Sequence, residues 1–312
     1  MTFTRFDVAK VQATDLPYAI HAGAKSMLRD DELRMLFHLA RDVAEPGMAL
    51  IDAGAFTGGS TVALAAGLAA RPDRDAFLRS IHSYDKFEIT SEFYKRLLFD
   101  QVDLGGSFLP HYMHNISPWN TYINVYPGDF LKAVWLRQPI SVLFCDISKT
   151  TQLDLKVWRS FVPYLVPGTS VLVQQDLLHV QSWYLHIALG EFIDHFDVLG
   201  LVESSLVLGL RKAIDPEALG NGHKLATTGS LADQLDRLDR LIARTKPVAN
   251  REAIGSLEVV KAVIAARQKD HALAGELLES ITATYADIEN PHFKNRIRYA
   301  HKVLDGQEIA RT

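Results

Sequence analysis

The segment Asp52-Ala53-Gly54-Ala55-Phe56-Thr57-Gly58-Gly59-Ser60 constrains this chain more than any other. It follows a short apolar run at 48–51 and precedes an Ala/Leu-rich stretch at 61–70 that reads as a helix. A strand that turns through glycines into a helix opens a nucleotide-binding α/β unit. Glycines there let a ligand lie close on the backbone, because no Cβ stands in the way. Their spacing is not the Gly-x-Gly-x-x-Gly of dinucleotide binders. An NAD-dependent oxidoreductase is therefore disfavoured, although it stays among the alternatives.

The same alternation continues along the chain. Residues 30–45 carry Leu33, Leu36, Phe37, Ala40 and Val43 at helical spacing, behind the acidic start Asp30-Asp31-Glu32 and ahead of Pro46-Gly47. Strands are predicted at 81–84, ending at Asp85, then at 122–126, 140–145 and 170–174. Helices are predicted at 91–100, 153–164 and 182–195. The Gly/Pro/His-rich stretch 101–120 reads as a long loop with a function of its own. The runs 197–203 and 205–211 are joined too tightly for a parallel crossover, so they form an antiparallel hairpin. Beyond a turn-rich stretch at 215–228 strand patterning disappears. Leu231, Leu235, Leu238, Leu241 and Ile242 make a helical stripe behind Ser230, two helices follow at 251–268 and 271–286, and Asn290-Pro291 starts a last one that Gly306 ends.

Charge and composition narrow the partners. A formal net charge of −4, with no Lys/Arg-rich run, provides no field to gather nucleic acid. No apolar run reaches the roughly 18 residues of a membrane span, and the first residues lack the apolar core of a secretion signal. Cys145 is the single cysteine, which excludes an internal disulfide and reads as a small core residue. The expectation is a soluble, cytoplasmic protein with a small-molecule partner, binding neither nucleic acid nor membrane.

Carboxylates recur at the predicted strand ends. Asp85 closes the second strand, where an acid accepts hydrogen bonds from both ribose hydroxyls of a nucleotide-type ligand; a helix-capping aspartate is the alternative. Asp146 closes the buried fourth strand and points toward the crevice where such sheets bind ligands. His179 lies three residues beyond Asp176 and is a candidate base near neutral pH. Trp119, Trp183 and Tyr184 either line an aromatic pocket or pack.

On these residues the chain resembles the class I S-adenosylmethionine-dependent methyltransferases. The glycine turn is similar to their first motif, acidic-x-Gly-x-x-x-Gly. The following Gly59-Ser60-Thr61 and the surroundings of Asp85, Ser83-Tyr84-Asp85-Lys86-Phe87, resemble the group of catechol, macrocin and cephalosporin-pathway O-methyltransferases. The resemblance covers roughly residues 30–212. It implies S-adenosylmethionine held by Asp52, Gly54, Gly58, Ser60, Asp85, Asp146 and Asp129, the last beside the adenine. It also implies Asp146 as a magnesium ligand and Lys149 as the acceptor of the substrate's proton. Sugar-modifying relatives carry a second acid where this chain has Ser148. Metal-dependent relatives have Asp-Asp or Asp-Asn where this chain has Gln175-Asp176. A glutamine brings no charge to a cation, so a Mg2+ site of Asp146, Gln175 and Asp176 would be weak.

The expected fold is α/β: a Rossmann-like class I methyltransferase sheet of five parallel strands plus a terminal antiparallel hairpin, with an all-α C-terminal extension. The domain reading is a helical lead-in at 1–46, the cofactor domain at 47–212, a linker at 213–228 and a helical extension at 229–312. The extension would serve homo-oligomer formation, bind a partner or cover the substrate site. The expected function is O-methylation of a small hydroxylated metabolite or sugar. A non-catalytic S-adenosylmethionine-binding protein with a partner-binding tail is the alternative, favoured by Gln175 and Ser148.

Overall fold

The computed structural model of the chain describes residues 6–17, 20, 26–97 and 102–307. Its centre is one seven-stranded sheet in the order β3-β2-β1-β4-β5-β7-β6. The strands are β1 (Ala49–Ala53), β2 (Ile81–Asp85), β3 (Ile123–Pro127), β4 (Ile140–Cys145), β5 (Val171–Gln174), β6 (Phe196–Val202) and β7 (Ser205–Leu210). The first five pair in parallel, and β7 runs antiparallel to both β5 and β6. This is the sheet expected from the strand–helix alternation and the tight final link.

Burial explains the local choices. β1 and β4 are buried at every position, as central parallel strands with both faces covered must be. The helix Gly59–Ala69 is apolar all round and buried through Leu68, so it belongs inside a layer rather than on a surface. On one face of the sheet it packs with Leu36, Phe37, Val142 and Phe144. On the other face Trp158, Phe161, Ile187 and Phe192 cover Leu143 and Leu172.

Two stretches differ from expectation. Within 101–120, Leu109–Ile116 is a helix and Ser117–Tyr122 a 3-10 turn. Pro110 and Pro118 stand in the first turns of these elements, where proline starts a helix instead of breaking it. Tyr112 and Ile116, four apart, supply the buried face. Within the expected linker 213–228, Asn221–Thr228 is also a helix. Its composition is poor for a helix, and packing overrides it: Gly222 lies so close to Ala188 that a Cβ would come within 2.6 Å of the Ala188 Cα. A buried Asp154–His223 contact of 2.7 Å ties this helix to Thr151–Ser160. Of the helix expected at 91–100, Glu92–Leu97 is present and residues 98–100 lie outside the described residues.

The C-terminal helices Leu231–Thr245, Arg251–Arg267, His271–Thr284 and Pro291–Leu304 have the expected caps: Ser230 and Asn290 accept the N–H groups of Asp233 and His292. They share a small cluster of their own, Ala265, Ala266, Ala274 and Val303, but most of their apolar surface joins the main body. Leu238, Leu241, Leu257 and Val260 lie in the same apolar cluster as Leu189, Phe196 and Leu208 of the α/β body.

Candidate active site

The carboxyl ends of the parallel strands share one level. Ala53 pairs with Tyr84 and Cys145, and Cys145 with Gln174, so the next residues Gly54, Asp85, Asp146 and Gln175 stand in a row. The strand order reverses direction between β1 and β4, and open α/β sheets bind ligands in the crevice at such a switch point. Three non-glycine residues with left-handed backbone ring this edge: Phe56 (φ 45°) after β1, Phe87 (φ 51°) after β2 and Asp176 (φ 67°) after β5. Strain of this kind collects at functional sites.

Asp52 lies beneath the glycine turn, fully buried. Ser60 donates to both its oxygens, at 2.9 and 3.0 Å, and Thr61 donates as well. Burial raises the Asp52 carboxyl from 3.8 to about 6, against the hydroxyl donors that lower it. Asp52 and Ser60 thus satisfy each other and hold the turn from below. The glycines answer to protein neighbours too. A Cβ on Gly54 (φ 98°) would lie 2.7 Å from the Asp146 carbonyl oxygen, and one on Gly58 (φ 101°) would press on Ile116 and Tyr112. Their absent side chains let the turn close on β4 and on Leu109–Ile116.

Asp85 is half-buried at the end of β2. Its Oδ2 accepts the Phe56 N–H of the glycine turn at 2.9 Å, and its Oδ1 accepts the Phe87 N–H at 2.7 Å. Burial pushes its carboxyl above the usual range, while these backbone donors pull it down. A carboxylate offers about four acceptor positions, and with the Lys86 N–H as a third backbone donor Asp85 keeps room for a further hydroxyl. Asp129, exposed after β3, accepts the Leu131 N–H at 3.0 Å as the cap of Phe130–Lys132.

Asp146 and Asp176 converge on Lys149, whose Nζ bridges Asp146 Oδ1 and Asp176 Oδ2. Burial alone would lower the Lys149 pKa, but the two carboxylates outweigh it and hold the ammonium above the ordinary lysine range. A lysine acting as base near neutral pH needs the opposite shift. Lys149 is the counter-ion of the pair. The expected magnesium site does not fit this donor set, for three reasons. An ammonium already sits between the two carboxylates. Gln175 turns its amide nitrogen to Ser204 Oγ at 3.2 Å, leaving Oε1 buried without a partner. Among the described residues no three His, Cys, Asp or Glu side chains converge to hold a metal ion.

His179 stands on the loop after β5, about half exposed, with Nδ1 3.1 Å from Asp176 Oδ1. Tyr94 joins the site without any signal in its own sequence neighbourhood. Its ring lies 5.7 Å from that of Phe56. Burial raises its phenol, with Lys149 opposing and Asp146, Asp176 and Asp85 also felt. Tyr184 donates its hydroxyl to the Ser148 carbonyl at 3.0 Å, Trp183 lies 5.2 Å from the Arg267 guanidinium and Trp119 packs at the edge of a core cluster. The expected aromatic pocket resolves into packing.

No protein-family model matches the chain, and no curated protein matches it. Among solved structures the chain is similar to the O-methyltransferase NovP, at 16% identity and a TM-score of 0.47, over 60% of this chain and 82% of that one. At that identity no residue role carries across, and function has to be read from the site.

Proposed function

We propose that the chain is an S-adenosylmethionine-dependent methyltransferase acting on a hydroxyl of a small molecule. One observation carries this reading: Asp85, pinned by backbone N–H groups beside the glycine turn, keeps acceptor capacity for a ribose hydroxyl at the carboxyl edge of the sheet. Bound in the crevice, the cofactor would supply an electrophilic methyl group on a sulfonium sulfur, with the neutral thioether as the leaving group. The chain's own part is alignment and proton removal. Gly54 and Gly58 shape the cofactor's floor, Asp52 and Ser60 keep it rigid, and Asp129 lies on the adenine side. His179, oriented through Nδ1 by Asp176, takes the hydroxyl proton at Nε2. The Lys149 ammonium offsets one of the two carboxylate charges of Asp146 and Asp176 and lessens the repulsion between them.

A second reading, cofactor binding without methyl transfer, is favoured by the locked Lys149 ammonium. Calorimetric titration with S-adenosylmethionine and with NAD tests the cofactor. S-adenosylmethionine alone is expected to bind, and NAD binding alone would replace this reading by an oxidoreductase. Removing a charged acceptor costs about 1.5–3 kcal/mol, so Asp85→Ala should weaken S-adenosylmethionine by roughly ten- to a hundredfold. An unchanged dissociation constant would make Asp85 a turn residue only.

A further inference from the structure

The loop that joins β5 to the helix Trp183–Phe192 carries Asp176 and His179, and a buried histidine braces it from beneath. His186, on the first turn of that helix, is fully buried. Its Nε2 lies 2.6 Å from the Leu177 carbonyl oxygen, and its Nδ1 lies 3.0 Å from the Ser182 carbonyl oxygen. One imidazole therefore reaches both ends of the stretch 177–182, with His179 between them.

The rest of the loop depends on these ends. Asp176 holds a left-handed backbone (φ 67°), which a non-glycine residue keeps only where its surroundings fix it. On one side the Gln175 N–H donates to the Cys145 carbonyl at 3.1 Å. On the other, Leu177 is held at both backbone groups: its N–H donates to the Ser204 carbonyl at 2.9 Å, and its carbonyl faces His186 Nε2. Within the loop the His179 N–H donates to the Asp176 carbonyl at 3.0 Å, and the Ser182 N–H to the His179 carbonyl at 2.9 Å. The 3.1 Å contact of His179 Nδ1 with Asp176 Oδ1 is built on this backbone. Burial lowers the His186 pKa, while the two carbonyls oppose the fall. A neutral imidazole has one N–H to give, and the shorter contact assigns it to Nε2 and the Leu177 carbonyl. A buried carbonyl that loses its donor is costly, so the loss of this N–H acts on Leu177 and through it on Asp176 and His179.

We propose that His186 is a positioning residue for the proton acceptor: its Nε2–H, bonded to the Leu177 carbonyl, holds the Asp176–His179 pair in place at the crevice. That His179 is the base rests on the methyltransferase reading; the brace rests on these contacts alone. The test is nitrogen–proton correlation spectroscopy of the histidine rings in the intact chain at neutral pH, with amide exchange and S-adenosylmethionine titration in parallel. The parent should show a His186 Nε2–H protected from exchange with water, and a His179 ring protonated at Nδ1 toward Asp176. His186→Phe keeps a ring and removes the donor. It should move the His179 proton to Nε2, and speed exchange of the His179 and Ser182 amides on the order of tenfold relative to those of β1 and β4. His186→Gln, whose amide nitrogen takes the place of Nε2, should restore the parental His179 signal, and His186→Asn, which mimics Nδ1, should not. A merely structural role would lower the stability of all three variants and leave the His179 ring as it is in the parent. A parent His186 protonated at Nδ1 alone, an unchanged His179 ring in a folded His186→Phe, or rescue by His186→Asn in place of His186→Gln would each overturn the proposal. If His186→Phe does not fold, the parent spectrum and the Gln and Asn variants decide. Failure of S-adenosylmethionine to bind would sink the reading of His179 as the base and leave the brace standing; an unbraced His179 in a chain that binds S-adenosylmethionine would do the reverse.

Discussion

Asp52 illustrates how a single carboxylate can be structural and still control pH behaviour. Its pKa is raised in the folded chain, from 3.8 to about 6, so the folded state holds the proton more tightly than the unfolded one. Its stabilising contribution is therefore complete below the unfolded value, falls as pH rises through the folded value and is absent above it. Two pKa units at about 1.4 kcal/mol each make this loss roughly 3 kcal/mol. Asp52→Asn keeps an acceptor for Ser60 and Thr61 and removes the charge. Urea midpoints for the parent should fall relative to the variant between about pH 4 and pH 7; parallel profiles would refute the assignment. His179 and Lys149 separate in the same way once a hydroxyl substrate is identified. Positioned general bases contribute about 10²–10⁴-fold, so His179→Ala should reduce turnover by that factor. Lys149→Arg, which keeps the counter-ion, should retain turnover within about tenfold. The opposite ranking would return the base to Lys149.

Elements meet at glycines more often here than helix propensity would suggest. Gly190, inside the helix Trp183–Phe192, lies so close to the helix Leu231–Thr245 that a Cβ would come within 2.0 Å of the Arg237 carbonyl oxygen. Alanine is worth about 0.5–1 kcal/mol over glycine inside a helix. Overpacking against backbone, which no side-chain rotation relieves, costs typically about 1–3 kcal/mol. Gly190→Ala should therefore destabilise the chain, by roughly 1–2 kcal/mol net in chemical denaturation. A stabilised variant would show that the two helices separate without cost.

The molecule behaves as one body in its packing. Leu238, Leu241 and Leu257 share a cluster with Leu189, Phe196 and Leu208. A chain ending at Lys212 would expose that cluster to water. The expected outcome is an aggregated or partly folded product without cofactor affinity, and a single transition in calorimetry of the intact chain. A soluble truncation that binds S-adenosylmethionine as the parent does would show that the helical extension is dispensable for the core.

Much of this is legible in one dimension, because strand and helix periods are local. Period and turn residues alone place the strand ends, and with them Asp85, Asp146 and Asp176 along one edge. The glycine turn marks where the sheet opens. Even the caps Ser230 and Asn290 are readable, since a capping side chain acts within three residues of itself. Long-range pairing is not readable in that way. Whether Lys149 is a base or a counter-ion depends on Asp176, brought to it from a different strand. The apparent loop around Pro110 and the apparent linker at Gly222 became helices because a buried face or a close neighbour outweighed weak propensity. The contact of His186 with the Leu177 carbonyl likewise spans a loop that no local pattern folds. The sequence by itself determined the sheet and its edge of carboxylates; only tertiary packing decided which charges meet and what stands beside them, because those energies depend on distance in space and not along the chain.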